Sequence, residues 1–322
     1  MTSLGMAAKP LRGVAFRLES LFVLAALIAI MSVAAYPYFF TVSNALNILL
    51  ASSTLGLLAI GMTFVISSAG IDLSVGSIMA FAGVVGCLTV NNLGAPWPVC
   101  IVASIVAGVF AGAVNGALVT FAGIPPFIVT LGMLGVARGV ALVLTNGVPV
   151  YGLPAPIVYL GQGRPFGVPA PVLILLGAAI AAHVLLMHTR FGLYAQVVGD
   201  NERAARAMGV RVERLKGQLY ALSGGLAGLA GLVFSARVNA GDPTAGVAYE
   251  LTAVTATIIG GTNLFGGRGS VVGTVIGALI MGVLQNGLNL LAVSSYYQQI
   301  AIGSVLVLAV WLDRLNRQER KR

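Results

Sequence analysis

The side chains of this sequence that could bind or guide a solute are mostly neutral and polar. Asn286 and Asn289 stand three residues apart, as do Thr252 and Thr255, and this spacing places each pair on one face of a helix. Such amides and hydroxyls either line a pathway for a neutral polar solute or join neighbouring helices, and the sequence leaves both roles open. Asp72 directly precedes LSVGSIMAF, where a carboxylate either caps a helix or lines a pathway.

Chemistry that depends on nucleotides, metals or ion gradients has little support in the sequence. No segment has the phosphate-binding pattern GxxxxGK[ST], so ATP-driven work requires a separate subunit. His183 and His188 are predicted to be interfacial residues rather than metal ligands. Asp72 and Glu250, the acidic residues that could carry a proton or sodium ion in the apolar part of the chain, each fall at an expected helix end. We therefore predict no catalytic residue, no metal and no cofactor bound by this chain.

Two further motifs have structural interpretations. The run GGLAGLAG at Gly224–Gly231 imitates a dinucleotide-binding glycine motif, but it lies inside an apolar stretch and therefore predicts close helix packing. Cys87 and Cys100 lack CxxC spacing, so we predict two buried small hydrophobic residues.

Composition defines the elements that must position these side chains. The chain has 322 residues, of which 58% are hydrophobic and 8% charged, with a mean hydropathy of +0.98. Soluble domains carry roughly 25% charge, so these values predict an integral membrane protein. Helices are the expected form, because a barrel would place a polar residue at every second position.

Apolar runs long enough to cross a bilayer recur along the chain. We predict an all-α protein with about ten transmembrane helices, some broken or re-entrant. The predicted spans are 21–38, 46–69, 73–92, 97–121, 126–146, 170–188, 216–238, 248–265, 269–292 and 296–312. They form one transmembrane domain, 21–313, between tails 1–20 and 314–322.

The basic residues predict the orientation of the chain. If the N terminus is cytoplasmic, six crossings return the chain to the cytoplasm at a basic segment, and four more bring the C terminus inside. Three basic clusters then lie on the cytoplasmic side, as the positive-inside rule requires. They comprise Lys9, Arg12 and Arg17; Arg190, Arg203, Arg206, Arg211, Arg214 and Lys216; and Arg314, Arg317, Arg320, Lys321 and Arg322. Flanking clusters of this kind fit an anionic leaflet, and they do not indicate nucleic-acid binding.

Two connections have unusual composition. The outer loop 147–169 is rich in proline and glycine, which predicts an ordered but helix-poor segment that serves as a connector or as a docking surface. In span eight, IIGGTNLFGGRGS at Ile258–Ser270 fits a re-entrant turn as well as a helix end.

The segment 189–216 concentrates charge inside an otherwise apolar chain. Asp200 or Asn201 can cap a helix that ends at Gly209. A helix of about seven residues does not fold alone in water, so other contacts must hold it. Its apolar face, formed by Ala204, Ala205 and Met208, suits insertion into a groove on another protein, although a solvated basic loop is the simpler alternative.

Several motifs together resemble the ribose-type permeases of bacterial ABC importers, in order and over nearly the whole chain. They are GIDLSVG at Gly70–Gly76, TNG at Thr145–Gly147, GRPFGVPAP at Gly163–Pro171, HTRFG at His188–Gly192, PTAGVAYEL at Pro243–Leu251, GGTNLFGGRGSVVGTVIGAL at Gly260–Leu279 and QNGLNLLAVSSYYQ at Gln285–Gln298. This family handles monosaccharides such as ribose, xylose, arabinose and galactose, and the motifs do not distinguish among them.

The resemblance implies a permease of the bacterial inner membrane that works by alternating access. Its implied partners are a second permease copy, a periplasmic sugar-binding protein and a cytoplasmic ABC ATPase that holds ATP and Mg²⁺. The resemblance implies that residues 189–216 dock on the ATPase, and we call them the coupling segment; the resemblance there lies in Gly199, Asn201, Ala204, Ala205 and Gly209.

Three charged residues are predicted to lie on the outer side of the membrane, and two other functions remain as alternatives. Arg164, Arg237 and Asp242 are candidates for docking the binding protein, or are simply solvated loop charges. An ion-coupled secondary transporter would move solute without an ATPase, and a structural membrane scaffold would move none.

Overall fold

The computed structural model describes the backbone of residues 8–319 and the side chains of residues 19–311. Its helices are α1 (Ala8–Ala34), α2 (Val42–Ser67), α3 (Val75–Asn91), α4 (Trp97–Thr120), α5 (Pro126–Thr145), α6 (Ala155–Gln162), α7 (Ala170–His188), α8 (Arg190–Asp200), α9 (Glu202–Ala207), α10 (Val212–Val238), α11 (Tyr249–Ile259), α12 (Val271–Leu290) and α13 (Ser295–Glu319). Two short strands, β1 (Val150–Tyr151) and β2 (Ala240–Gly241), pair in antiparallel fashion. The side chains of the predicted basic tails, 1–20 and 314–322, lie almost entirely outside the described residues.

The all-helical prediction is confirmed. Each of the ten predicted spans overlaps a helix, and six helices in the described part of the chain are long and apolar enough to cross a membrane. These six are α2, α4, α5, α7, α10 and α12. The apolar part of α1 (Glu19–Ala34), α3 and α11 are shorter. The chain is therefore a multi-pass membrane protein.

The prediction of a helix from 248 to 265 is wrong in its extent. Helix α11 has 11 residues and ends at Ile259, where the GG pair at Gly260 and Gly261 begins a turn-rich loop that continues to Ser270. At 1.5 Å per residue, α11 is about 16 Å long, roughly half of a bilayer core. Glycine stops the helix here because Gly261 adopts a φ of 89°, which L side chains disfavour.

The outer loop 147–169 is ordered as predicted, but it is less helix-poor than its prolines indicated. It contains β1, the eight-residue helix α6 and a short 3₁₀ turn at Pro165–Gly167. The prolines stand at element boundaries, for example Pro154 at the N-cap of α6, where the missing N–H disrupts no helical hydrogen bond. Helix α6 lies against the end of α10, since a Cβ at Gly161 would overlap the backbone of Ala236 and Arg237.

Glycines let α4 and α10 approach backbone to backbone, which confirms the packing interpretation of GGLAGLAG. A Cβ at Gly108 would collide with the Gly224 carbonyl oxygen and lie 2.9 Å from the Gly228 Cα. A Cβ at Gly112 would collide with the Tyr220 carbonyl oxygen in the same way. Small residues of this kind allow dispersion contacts between helices in a bilayer, where the hydrophobic effect does not drive association.

Candidate functional site

The coupling segment contains two helices, α8 and α9, rather than the single short helix predicted. The caps of α9 are as expected: Asn201 Oδ1 accepts a hydrogen bond from the Ala204 N–H at 3.0 Å, and Gly209 follows the helix with a φ of 83°. Asn201 is therefore the capping residue, and Asp200 ends α8. Helix α8 has its own cap, in which the Thr189 hydroxyl accepts from the Gly192 N–H.

The predicted apolar face of α9 is divided between two environments. Ala204 is exposed and Met208 is 68% exposed, whereas Ala205 is completely buried. Ala205 packs in the protein's own core, beside residues such as Val210. The expectation that Ala205 belongs to a free docking face is therefore wrong, because the side of α9 that carries it is already covered.

Ion pairs attach α9 to the start of α10. Glu202 accepts from Lys216 Nζ at 2.7 Å and from Arg206 Nη2 at 3.1 Å, while Arg206 also pairs with Glu213. The hydrogen bond from Lys216 is the main cause that lowers the pKa of Glu202 below its usual value of 4.5. Because the folded-state pKa lies below 4.5, the ion pair stabilises the folded state above pH 4.5. This stabilisation is lost as the pH falls through the folded-state pKa. The pairs are partly exposed, so each contributes modestly.

A buried polar network surrounds Asp72, in the turn before α3. Ser74 donates to Asp72 Oδ1 from its backbone N–H at 3.1 Å and from its hydroxyl at 2.5 Å, and Ser223 of α10 donates to Oδ2 at 3.0 Å. Asn115 of α4 donates to the Ser74 hydroxyl at 2.8 Å. These four side chains are at most 1% exposed. The N-cap of α3 is Ser74, so Asp72 is not the capping residue that was predicted; it lies two residues before the cap and joins α3, α4 and α10.

The other predicted pathway residues occupy separate hydrogen-bond networks. The hydroxyls of Thr252 and Thr255 donate to carbonyls of the preceding turn, those of Ala248 and Leu251. Asn286 forms a reciprocal amide pair with Asn44 of α2, at 2.9 and 3.0 Å. Asn289 is exposed and accepts from Gln298. Helix-to-helix bonding is therefore observed for Asn286, and the pathway role of all five residues remains a prediction.

The candidate outer docking residues lie at the ends of α6 and α10 and in the loop after β2. Arg164 is exposed beyond α6. The Arg237 guanidinium lies 5.4 Å from the centre of the Phe234 ring, one turn earlier on α10. The Asp242 carboxylate accepts from the N–H and hydroxyl of Thr244, which closes a local turn. Docking by these residues remains a prediction.

Sequence reasoning missed Arg138, the ionisable residue in the apolar helix α5. Its guanidinium donates to the carbonyls of Pro243, at 2.5 Å, and Ala245, at 2.7 Å, and so holds the loop that leads into α11. The carboxylate of Glu250 lies close to the start of α3, since a Cβ at Gly76 would be 2.8 Å from its Oε2. An arginine within an apolar span was the available signal, because such residues usually have a specific partner.

The two histidines contact each other, and the two cysteines lie in an apolar cluster. The His183 and His188 rings meet edge to face, with centroids 5.8 Å apart. Cys87 and Cys100 are buried as predicted, in a small apolar cluster with Leu153. Within the described residues, no group of three or more His, Cys, Asp or Glu side chains could hold a metal ion.

Comparison with known proteins identifies the class of the chain. Residues 44–310 match the family model described as the branched-chain amino acid transport system permease component, and the chain belongs to this family of membrane permeases. Within it, the chain groups with the monosaccharide permeases of ABC importers.

Three relatives illustrate this grouping. The ribose import permease protein of Escherichia coli K12 is 46% identical over 309 residues, covering 92% of each chain. The D-allose transport system permease protein of the same strain is 38% identical, covering 91% of this chain and 90% of its own. The xylose transport system permease protein of Haemophilus influenzae is 36% identical, covering 93% and 96%. No solved structure matches the chain.

Proposed function

We propose that this chain is the membrane-spanning subunit of an ATP-driven importer that moves a monosaccharide from a periplasmic binding protein to the cytoplasm. The observation that carries the proposal is the capped helix α9, which exposes Ala204 and Met208 in a family whose sugar-permease members align along almost the full chain. The alternatives, an ion-coupled transporter and a structural scaffold, are not favoured by these relatives.

The proposed topology places both termini on the cytoplasmic side of the bacterial inner membrane. Ten helices, α1 to α5, α7 and α10 to α13, make up the membrane domain. Helix α11 and the 260–270 loop together form the short eighth span. The loop's contacts with the coupling segment support a cytoplasmic position for it, since a Cβ at Gly266 would be 2.7 Å from the Gly199 carbonyl oxygen.

The partner ATPase supplies ATP hydrolysis and holds ATP and Mg²⁺, and α9 inserts between its surfaces. Ala204 and Met208 supply a small apolar contact, and Arg203 is exposed beside them. Burial of this face against the partner would be favourable at about 25 cal/mol per Å² of apolar area. A second permease copy completes the membrane unit, and Arg164, Arg237 and Asp242 face the binding protein.

The substrate is a neutral monosaccharide of the type named for the relatives, such as ribose, allose or xylose. Its hydroxyls require hydrogen-bond partners along the route, since each unpaired one costs about 1–3 kcal/mol. Asp72, Thr252, Thr255, Asn286 and Asn289 are the candidates to supply them. Tight binding is unnecessary, because the binding protein can supply selectivity and a deep site would slow release.

The ATPase-docking role is tested by placing a charge on the exposed face of α9. Ala204→Glu should reduce co-purification of the ATPase and ATP-dependent sugar uptake at least about ten-fold, because an unpaired carboxylate would enter the interface. Ala122→Glu is the matched control, since Ala122 is also exposed, in the connection between α4 and α5 that the topology places on the same side. Equal behaviour of the two variants would remove the docking assignment.

A further inference from the structure

Three backbones meet without intervening side chains where the coupling segment touches the membrane domain. We call this place the three-backbone contact; it consists of Ser67 at the end of α2, Gly199 in α8 and Gly267 in the 260–270 loop. The Gly267 N–H donates to the Ser67 carbonyl at 3.0 Å. A Cβ at Gly199 would collide with that carbonyl oxygen and lie 2.6 Å from the Gly267 nitrogen. The contact therefore leaves no room for a side chain larger than hydrogen at position 199.

The loop side of the contact is shaped to fit the end of α8. Gly266 and Gly267 have φ values of 87° and 82°, a backbone region that favours glycine. A Cβ at Gly267 would be 3.1 Å from Asp200 Oδ1. Close-packed protein interiors are poorly compressible, so a shift of α8 cannot be absorbed in a gap at this point.

Beyond the contact, α2 is joined to α11 and α12 by buried hydroxyl groups. The Thr63 and Thr274 hydroxyls are hydrogen-bonded at 2.7 Å, which links α2 to α12. The Thr257 hydroxyl of α11 lies 3.2 Å from the Ala59 carbonyl of α2. The end of α2 thus connects the three-backbone contact to two further helices.

The opposite end of the coupling segment is attached to a different helix. Lys216 at the start of α10 pairs with Glu202 of α9 at 2.7 Å, and Ala205 is completely buried. Helix α10 packs along α4 through glycines, as described above. The coupling segment therefore contacts both α10 and α2, and these two helices also pack on each other, since a Cβ at Gly61 would be 3.0 Å from the Ser223 Cα.

We infer that the three-backbone contact transmits displacement of the coupling segment to α2, α11 and α12, and that Gly199 is a positioning residue in this step. The inference rests on the proposed function, because the displacement comes from the partner ATPase. Gly199 does not touch the sugar or the ATPase in this role. Its missing side chain keeps α8 in direct contact with the membrane helices.

The test is the number of sugar molecules imported per ATP hydrolysed by the full complex in lipid vesicles. We expect Gly199→Ala to assemble with the ATPase and to hydrolyse ATP, while sugar imported per ATP falls at least about five-fold. Gly217→Ala is the matched control, because a Cβ at Gly217 meets no heavy atom within 4 Å. If Gly199 had a purely structural role, the substitution would lower complex assembly, ATP hydrolysis and sugar import together, and the number of sugar molecules imported per ATP would stay unchanged.

The outcomes separate this inference from the proposed function. Transport per ATP within about two-fold of wild type in Gly199→Ala overturns the inference alone. A wild-type complex that neither imports sugar nor hydrolyses ATP in response to it overturns the proposed function, and the inference with it.

Hydrogen exchange on the wild-type complex tests the same point if Gly199→Ala fails to fold. On trapping the ATP-bound state, we expect the protection of amides in 63–69 and 260–268 to change together with that of 199–209, since the Gly267 N–H bonds to Ser67. A change confined to 199–216 would show that motion does not pass through the contact, and would overturn the inference.

Discussion

Ser223 donates a hydrogen bond to Asp72 Oδ2 at 3.0 Å, and this joins the middle of α10 to the turn that starts α3. Both residues are at most 1% exposed, and Ser74 occupies the other carboxylate oxygen. A buried carboxylate held by neutral donors from two directions fixes the relative position of the elements that supply them. The network therefore holds the start of α3 against α10.

Replacing Asp72 should destabilise the protein. Asp72→Ala leaves the donors of Ser74 and Ser223 buried and unpaired, and we expect a loss of roughly 1–3 kcal/mol in the apparent free energy of unfolding. Thermal unfolding of the purified chain in detergent measures it. Asp242→Ala is the control, because this half-buried carboxylate hydrogen-bonds to Thr244 within one turn, and it should cost less than Asp72→Ala, at most about 1 kcal/mol. Equal losses in the two variants would contradict a structural role for the network.

The amide pair between Asn44 and Asn286 distinguishes helix bonding from pathway lining. We expect each Asn→Ala variant to lower the unfolding free energy and the double variant to lose less than the sum, with a coupling of about 0.6 kcal/mol, typical of bonds between membrane helices. A double-mutant cycle on thermal unfolding supplies the value. If Asn286 instead lines the pathway, Asn286→Ala will reduce sugar uptake with unchanged stability, and the cycle will show no coupling.

The contact between α4 and α10 should not tolerate a methyl group. We expect Gly112→Ala to cost about 1–3 kcal/mol in stability, because the added Cβ would overlap the Tyr220 carbonyl oxygen. Gly132→Ala on α5 meets no heavy atom within 4 Å and should be neutral or slightly stabilising, since alanine favours helix. Thermal unfolding of both variants checks the difference, and equal stability would argue against close backbone contact.

Acid should loosen α9. Glu202 has a lowered pKa caused mainly by Lys216, so its ion pairs persist above pH 4.5 and weaken as the carboxylate takes a proton at lower pH. A nitroxide attached through Met208→Cys should show constant mobility from about pH 8 to 5 and increased mobility as the pH falls below 4.5. Glu202→Gln should show a smaller pH-dependent change, with the remainder due to the neighbouring Glu213 pair. An unchanged titration in that variant would contradict the role of Glu202.

The elements that the sequence predicted well are those specified by local signals. Asn201 and Gly209 bracket α9 because a cap and a left-handed glycine act within a few residues, and apolar runs located the membrane helices. The burial of Ala205 was not predictable in this way, because it depends on which side of α9 meets the rest of the chain.

Contacts distant in sequence account for the remaining differences. Arg138 bonds to carbonyls more than 100 residues away, and no spacing pattern indicates that partner. The eight residues of α6 lie in a proline-rich segment, which indicated a loop, yet Pro154 and Pro156 occupy the N-cap and the first turn, which a helix start tolerates. Helix α11 ends at the Gly260–Gly261 pair, and the packing of the following 260–270 loop against α2 and α8 was not indicated by any local pattern.

Uptake of labelled sugar into vesicles that contain the chain, its ATPase and its binding protein tests the central claim most directly. The account predicts import of at least one of ribose, allose and xylose that requires ATP, the ATPase and the binding protein together. Import by the chain alone under an imposed ion gradient, or the absence of import of all three sugars by the complete complex, would contradict it.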